Sequence, residues 1–374
     1  MIHRIPMSFL LALTGAMAFL QIYNRGLLYL KHGRLKTVIC HTAMVLFPLI
    51  PALFAFVYPP RQLVLGTMCV LLFFISLDLH MRLTRHRLRS RKPPVETDVK
   101  RRKVRGWLRD TTGDLVIREY IPDQVKWTGP AITIAHISDL HVDKLRSDNL
   151  LAMVFETIRA RRPDILLMTG DFTDAVEALD RLVPFLAMLE IPLGIWGSIG
   201  NHDYWSNPGA IQRKLESVGV RFPSINGDAI QVSKTHVLRL SRCDYPYPAR
   251  WTGIESPSTE NSLHIVLSHT PDNFIRLARH SAPLVFSGHL HGGQWRLPVI
   301  GSVVAPSFRD RLFDLGHYRK GDAHLFVTAG IGNVWISRRI NCPAEILMVY
   351  LSAGGDWSFP ASEKVLASPT RTES

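Results

Sequence analysis

At 374 residues the chain exceeds one small domain and has ample material for a core. Its net charge of +13 suits an anionic partner, nucleic acid or membrane, and the position of the charge decides between them. Residues 82–105 hold 11 Lys or Arg against Glu96 and Asp98, residues 1–81 hold 6 against Asp78, and everything from 106 onward comes to −1, so the large C-terminal part is neutral and no nucleic acid is expected as a partner.

Residues 5–23 are an uncharged run of 19, residues 37–58 a second of 22, and residues 62–77 a third that can borrow 78–81 at the interface. A span needs roughly 20 apolar residues, so residues 1–81 read as a transmembrane region with about three helices. Pro48 and Pro51 would kink the second, which neighbouring helices tolerate. Only Arg4 charges the start of the first run and no Ala-x-Ala-like site follows it, which argues against a cleaved signal peptide. Lys and Arg number one before the first span, four between the first and second (Arg25, Lys31, Arg34, Lys36), one in the next turn (Arg61) and six within 82–92. The positive-inside rule then leaves the N-terminus outside and puts everything after residue 82 in the cytoplasm. Residues 82–105 read as a basic juxtamembrane linker facing anionic lipid, where each Lys or Arg near the surface contributes about 1 kcal/mol; a plain topology signal explains the same charges equally well. Cys40 and Cys69 fall in spans, Cys243 and Cys342 lie far apart, and nothing asks for an oxidising compartment.

From 106 to 355 the chain alternates α and β. Residues 114–121 suit a first strand, and the β-rich run 131–137 a second that ends in Asp139 and His141. Two residues apart, these side chains leave a strand on the same side. Asp148 can cap a helix whose apolar face is Leu151, Val154, Phe155 and Ile158, stopped by Pro163. The short apolar strand 164–169 ends in Gly170-Asp171 with Asp174 close behind. A helix is expected over 175–189, and the strand 193–199 ends in Gly200-Asn201-His202-Asp203. A helix over 208–218 starts with Pro and is followed by Gly219. Strand 263–267 ends in Ser268-His269, and strand 283–286 in Ser287-Gly288-His289-Leu290-His291. Five apolar strands thus each end in Asp, Asn or His, at the edge where open α/β sheets place their sites. Glycine before three of these clusters lets the backbone turn and pass close to a metal.

The set Asp139-x-His141, Gly170-Asp171-x-x-Asp174, Gly200-Asn201-His202-Asp203, His269 and Gly288-His289-x-His291 resembles, complete and in order, the calcineurin-like metallophosphoesterase superfamily over about residues 130–350. The stretches 292–298, 330–333 and 339–345 are similar to its membrane-anchored or exported bacterial branch, which holds phosphodiesterases and UDP-2,3-diacylglucosamine pyrophosphatases. The resemblance implies an α/β (α+β) fold, a four-layer α/β/β/α sandwich, with two divalent metal ions. Asp171 would bridge them, one ion taking Asp139, His141 and His291 as well, the other Asn201, His269 and His289. Nitrogen and oxygen ligands without thiolate leave Mn, Fe and Zn open. His202 would protonate the leaving oxygen, with Asp174 orienting its other nitrogen.

Gln294, Trp295 and Arg296 follow the last ligand and could line a substrate cleft; for Trp295 packing is the equal alternative. Arg338 and Arg339 could clamp a phosphate, or form ion pairs. Asp203 could equally serve to tie down its turn, and His136 reads as a core histidine. Residues 245–250 fall in an irregular insert, and 356–374 read as a disordered tail. The expected protein is a hydrolase in the bacterial inner (cytoplasmic) membrane, multi-pass, with its catalytic domain facing the cytoplasm. Membrane lipids would be met through the spans and the basic collar, and an amphiphilic phosphodiester or pyrophosphate, UDP-2,3-diacylglucosamine first, would be the substrate. A broad phospholipid or nucleotide phosphodiesterase and a binding or sensory module with a structural metal are the alternatives.

Overall fold

The computed structural model describes residues 4–25, 34–57, 60–101, 106–145, 147–244, 258–280, 284–309, 311–334 and 337–352. The insert at 245–250 and the tail from 356 lie outside them.

Three long helices open the chain, α1 (Arg4–Arg25), α2 (Arg34–Val57) and α3 (Pro60–Leu88). Met7–Asn24 and Leu65–Leu88 are long and apolar enough to cross a membrane, and α2 carries the shorter apolar stretch His41–Leu53. Gly15 allows α1 and α2 to cross closely, since a Cβ there would sit 1.9 Å from the Phe47 carbonyl oxygen. The apolar run 62–77 is only the first part of α3. The helix continues because residues 78–88 contain no Gly or Pro and Asp78 pairs with Arg82 one turn on at 2.6 Å. At 1.5 Å per residue α3 is about 43 Å long, well over the ~30 Å of a bilayer's hydrocarbon core.

The remaining elements follow in order: β1 (Val95–Lys100), β2 (Leu115–Tyr120), β3 (Ile132–Ile137), α4 (Asn149–Arg161), β4 (Ile165–Met168), α5 (Val183–Ala187), β5 (Ile195–Gly197), α6 (Asn201–Trp205), α7 (Pro208–Glu216), β6 (Val220–Arg221), β7 (Asp228–Gln231), β8 (Val237–Cys243), β9 (Ser262–Ser268), α8 (Phe274–His280), β10 (Leu284–Ser287), β11 (Arg296–Leu297), β12 (Gly301–Ser302), β13 (Gly316–Lys320), β14 (Ala323–Val327) and β15 (Ala344–Leu351). Two expectations are corrected. Residues 82–105 are not a bare linker: they hold the end of α3 and the edge strand β1, which pairs antiparallel with β2 through a bulge at Asp98–Lys100. The helix expected over 175–189 is a 3-10 turn, Val176–Arg181, followed by the five-residue α5. Pro184 lacks the N–H that one continuous helix would need there.

A seven-stranded sheet runs β1-β2-β15-β3-β4-β5-β6 and a six-stranded sheet β13-β14-β10-β9-β8-β7. β3, β4 and β5 are parallel neighbours in the first, β9 and β10 in the second, so all five ends that carry Asp, Asn or His emerge at matching edges. Alternation along the strands builds the layers. Ile132, Ile134, Ile165, Leu167 and Trp196 face Leu240, Leu263, Ile265, Leu284 and Phe286 of the other sheet. Ala135, Ile137, Leu166 and Met168 point the other way, against Leu151, Phe155 and Ile158 of α4 and Ile211 of α7. On the far face of the second sheet, Phe274 and Leu277 of α8 cover Val266, Val285 and Leu325, with Met81 and Leu88 of α3 packed alongside. The result is a four-layer α/β/β/α sandwich onto which α3 runs without a break.

Buried Asp314 fastens α3 to this sandwich. It accepts from Arg85 Nη2 of α3 at 2.6 Å, from Arg296 Nη1 at 2.9 Å and from Ser302 Oγ at 2.8 Å. Burial opposes its charge, but Arg296 and Arg85 hold its carboxyl below the usual range. Asp314→Ala leaves two guanidinium groups without their shared carboxylate in a largely buried place. It is expected to cost about 3 kcal/mol, read as a lowered Tm of the detergent-solubilised full chain.

Candidate metal centre

The five strand ends bring together three groups of candidate ligands, one of them His141, Asp174 and His202, and the other two hold the expected ligand set. Ligand atoms of Asp139, His141 and His291 lie within 4.8 Å of one another, as do those of Asp171, His269 and His289. His141 Nε2 and His269 Nε2 reach toward the same Asp171 Oδ2, at 3.6 and 3.4 Å, which places Asp171 between the clusters. Asn201 Oδ1 lies 2.9 Å from His269 Nε2.

Every one of these side chains is buried, and the chain is bent to bring them in. Asp139, His141, Asp171, His289 and His291 all have positive φ, between 42° and 69°. Non-glycine residues seldom sit in this left-handed region, and strain of about 1–3 kcal/mol each persists only where surrounding structure enforces it. The enforcement is visible. The His289 N–H donates to both Asp139 oxygens at 3.0 Å, and the His202 N–H donates to Asp171 Oδ1 at 2.8 Å. Gly288 is required by close approach, since a Cβ there would lie 2.2 Å from Asp139 Oδ2.

Two of the histidines offer unsatisfied nitrogens to a cation. Both ring nitrogens of His141 and of His291 are buried without a hydrogen-bond partner. Burial, helped by His202 near the first and Arg339 near the second, holds both far below the usual imidazole range, so they are neutral. Burial likewise pushes His289 down to about 3 and Asp139 up to about 6. His269 donates from Nδ1 to the Thr169 carbonyl at 2.6 Å, which fixes the tautomer and turns Nε2 toward Asp171. Burial disfavours its charge, yet Asp171 lifts it to about 9, and Asp171 in turn lies well below its ordinary value. Two orphaned imidazole nitrogens, His141 Nε2 and His291 Nε2, facing carboxylates 3.6 and 3.5 Å away fit bound cations.

Beside these clusters His202 Nδ1 meets Asp174 Oδ1 at 2.5 Å, and Lys144 Nζ meets the other Asp174 oxygen at 2.5 Å. Burial opposes the Asp174 charge, but His202 and Lys144 bring it down to about 2. Asp174 lies at the open side, while His202 is buried with its ring 4.6 Å from that of His141. No spacing rule marks Lys144. Its only sequence signal is its place three residues after His141.

Asp203 ties the turn. Its carboxylate accepts from the N–H groups of Asp171, Phe172, Thr173 and Gly200, at 2.8 to 3.2 Å, joining the loops after β4 and β5. Burial and the nearby Asp171 push its carboxyl up to about 7 against those donors. Asp203→Ala would orphan four buried N–H groups at about 1–3 kcal/mol each, so a loss of several kcal/mol is expected in chemical denaturation. His136 is a core histidine, bonded to Thr169 Oγ1 at 2.9 Å with its ring edge-on to Phe286.

Three residues expected at a substrate cleft do other work. Arg339 is fully buried, and its guanidinium donates to the carbonyls of Ala329, Gly330, Gly332, Cys342 and Pro343. It shapes the loop behind Asp139 and has no donors left for a phosphate. Arg296 is held by Asp314 and the Gly292 carbonyl. Gln294 spends both ends of its amide on backbone, donating to the Arg338 carbonyl and accepting from the Val334 N–H. Trp295 donates to the same Arg338 carbonyl and leaves its ring 40% exposed, and the Arg338 side chain is exposed.

Two facing α/β sheets with paired Asp/His clusters at their loop edge define a metal-dependent phosphoric ester hydrolase. Residues 132–293 match the family profile described as calcineurin-like phosphoesterase, and this part of the chain is a calcineurin-like metallophosphoesterase domain, of the kind that uses a dinuclear metal site. The chain is 27% identical over 232 residues to the uncharacterized metallophosphoesterase YkuE of Bacillus subtilis, covering 59% of this chain and 79% of that protein. It is 26% identical over 230 residues to the phosphodiesterase YaeI of Escherichia coli, covering 58% and 81%. It is also 26% identical over 279 residues to the UDP-2,3-diacylglucosamine pyrophosphatase LpxG of Chlamydia trachomatis, covering 58% and 83%.

Proposed function

We propose that the chain is a membrane-anchored, dinuclear metal-dependent phosphoesterase that cleaves a phosphodiester or pyrophosphate bond of an amphiphilic substrate, UDP-2,3-diacylglucosamine being the first candidate. Asp139, His141, Asp171 and His291 would hold one ion and Asp171, Asn201, His269 and His289 the other. When bound, such a pair supplies positive charge against the phosphoryl oxygens and acidifies water. The protein's own part is proton delivery. His202, held through Nδ1 by Asp174, would hand a proton to the departing oxygen, and its buried setting limits competing water.

The observation that carries the reading is this pairing of orphaned ligand imidazoles with an adjacent histidine already committed to a carboxylate. A structural metal site has no use for the second feature. The amphiphilic substrate is supported by α3, which joins an apolar helix to the catalytic sandwich without a linker. Orientation toward the cytoplasm at the bacterial inner membrane follows from the loop charges. A reporter fused after Ser374 and active only in the periplasm would overturn that orientation.

Purified, metal-loaded protein in detergent is expected to release UMP from UDP-2,3-diacylglucosamine. Hydrolysis of a bis-aryl phosphodiester without UMP release would leave the broader phosphodiesterase and remove the lipid A substrate. Failure on both, with His202→Ala indistinguishable from the parent, would leave only a metal-binding module.

A further inference from the structure

A cavity of about 670 Å³ opens between α3 and the β11–β12 hairpin, with none of the clustered Asp and His residues in its lining. Arg82, Arg85, Arg89, Arg296 and Arg311 line it together with Asp78. Asp78 serves Arg82 and Arg311, and Asp314 behind the wall serves Arg85 and Arg296, so five guanidinium groups face two carboxylates. The cavity therefore keeps a positive excess in a half-buried place, which suits an anion with several acceptor oxygens.

Its rim is apolar. Val299 at the hairpin tip is 93% exposed with φ +68°, its carbonyl held by Arg82 Nη1 at 2.9 Å, and Ile300, Trp107 and Phe308 are exposed nearby in the chain or in the cavity wall. Contiguous exposed apolar side chains rimmed by polar groups, as at Val299 and Ile300 beside the arginines, mark a surface for a partner or a membrane.

Depth identifies that partner. Asp78 lies 18 residues along α3 from Pro60 and Asn24 lies 20 along α1 from Arg4, so both are about 27–30 Å from their helix starts, one hydrocarbon thickness. Arg311 and the Val299 carbonyl bond to α3 at that level, through Asp78 and Arg82. Asn24 receives the Ala305 and Ser307 N–H groups at 3.1 and 3.0 Å. With the starts of α1 and α3 at one face of a bilayer, residues 299–308 would be stitched to both helices near the other face.

We infer that this cavity binds the phosphate of an anionic phospholipid, while Val299, Ile300 and Phe308 enter the headgroup layer. The acyl chains run back along the exposed Ile75 and Leu79, which share a face of α3 with Arg82. The inference rests on α1 and α3 as membrane spans and is independent of the identity of the substrate.

The test uses the full chain in nanodiscs of phosphatidylcholine containing phosphatidylglycerol, with lipid retained after mild detergent extraction counted by native mass spectrometry. Retention of phosphatidylglycerol over phosphatidylcholine is expected, at least tenfold weaker in the double variant Arg82→Gln, Arg311→Gln, whose hydrolysis of a soluble aryl phosphodiester stays unchanged. Because those arginines also hold α3, a photoreactive side chain at Val299, which touches little protein, gives a second readout and is expected to crosslink phospholipid. Equal retention of the two lipids, no crosslink, or displacement of the lipid by soluble glycerol phosphate overturns the site. Release of the whole chain from membranes by alkaline carbonate would instead overturn the spans, and the site with them.

Discussion

Replacing His202 by alanine is expected to lower kcat by about 10²- to 10⁴-fold, the usual worth of a positioned general acid, without changing the metal content. The imidazole is not counted among the proposed ligands, and its Nδ1 is already taken by Asp174. The loss should depend on the leaving group. An aryl phosphodiester that departs as a stabilised phenolate needs little protonation and should lose least, whereas an alkyl ester should lose most. A variant that loses activity equally on both esters, or that loses bound metal, would remove the acid role. Only the side chain is at issue, since the His202 backbone N–H bond to Asp171 survives the substitution.

Asp171→Asn is expected to have a larger effect, because this one carboxylate stands between both clusters, 3.6 Å from His141 Nε2 and 3.4 Å from His269 Nε2. A neutral amide in its place would weaken both ions together. Elemental analysis should find less than one equivalent of metal where the parent carries two. Activity should fall by at least about 10³-fold, given the several kcal/mol of charge stabilisation such ions provide. Asp139→Asn takes the charge from the cluster with His141 and His291 but keeps an amide oxygen to accept from the His289 N–H, so it should leave metal at the other. Equal metal content in Asp171→Asn and the parent would count against the bridging role.

The sequence pattern made the five parallel strands and their polar ends legible because each was a short apolar run closed by Asp, Asn or His. It also located the basic charge correctly at the end of the apolar helices. Strand β1 was hidden, since Val-Glu-Thr-Asp-Val-Lys at a sheet edge exposes most of its side chains and shows no buried stripe. Arg339 was misread for a related reason. An arginine that satisfies five carbonyls inside a loop looks, in sequence, like one waiting for a phosphate, and its partners are fixed only by tertiary folding. Left-handed backbone at five of the seven proposed ligands was likewise unreadable, because Asp and His adopt it more often than most residues but still seldom, so their presence alone does not mark it. The four N–H bonds to Asp203 arise from two loops more than 25 residues apart in the chain and could be seen only once those loops met.

The unbroken run of α3 from apolar helix to sandwich has a mechanical consequence. With Met81 and Leu88 packed on the second sheet and Arg85 held by Asp314, the catalytic sandwich cannot swing or rise as a tethered globule would. Were α1 and α3 to span a bilayer, as proposed, the edge that carries the Asp and His clusters would stay at one height above it, like a cutter on a fixed gauge. Selection among lipids would then act partly on geometry, favouring molecules whose scissile phosphate projects to that height. Inserting or deleting residues in α3 would change the height by 1.5 Å and the facing by about 100° per residue.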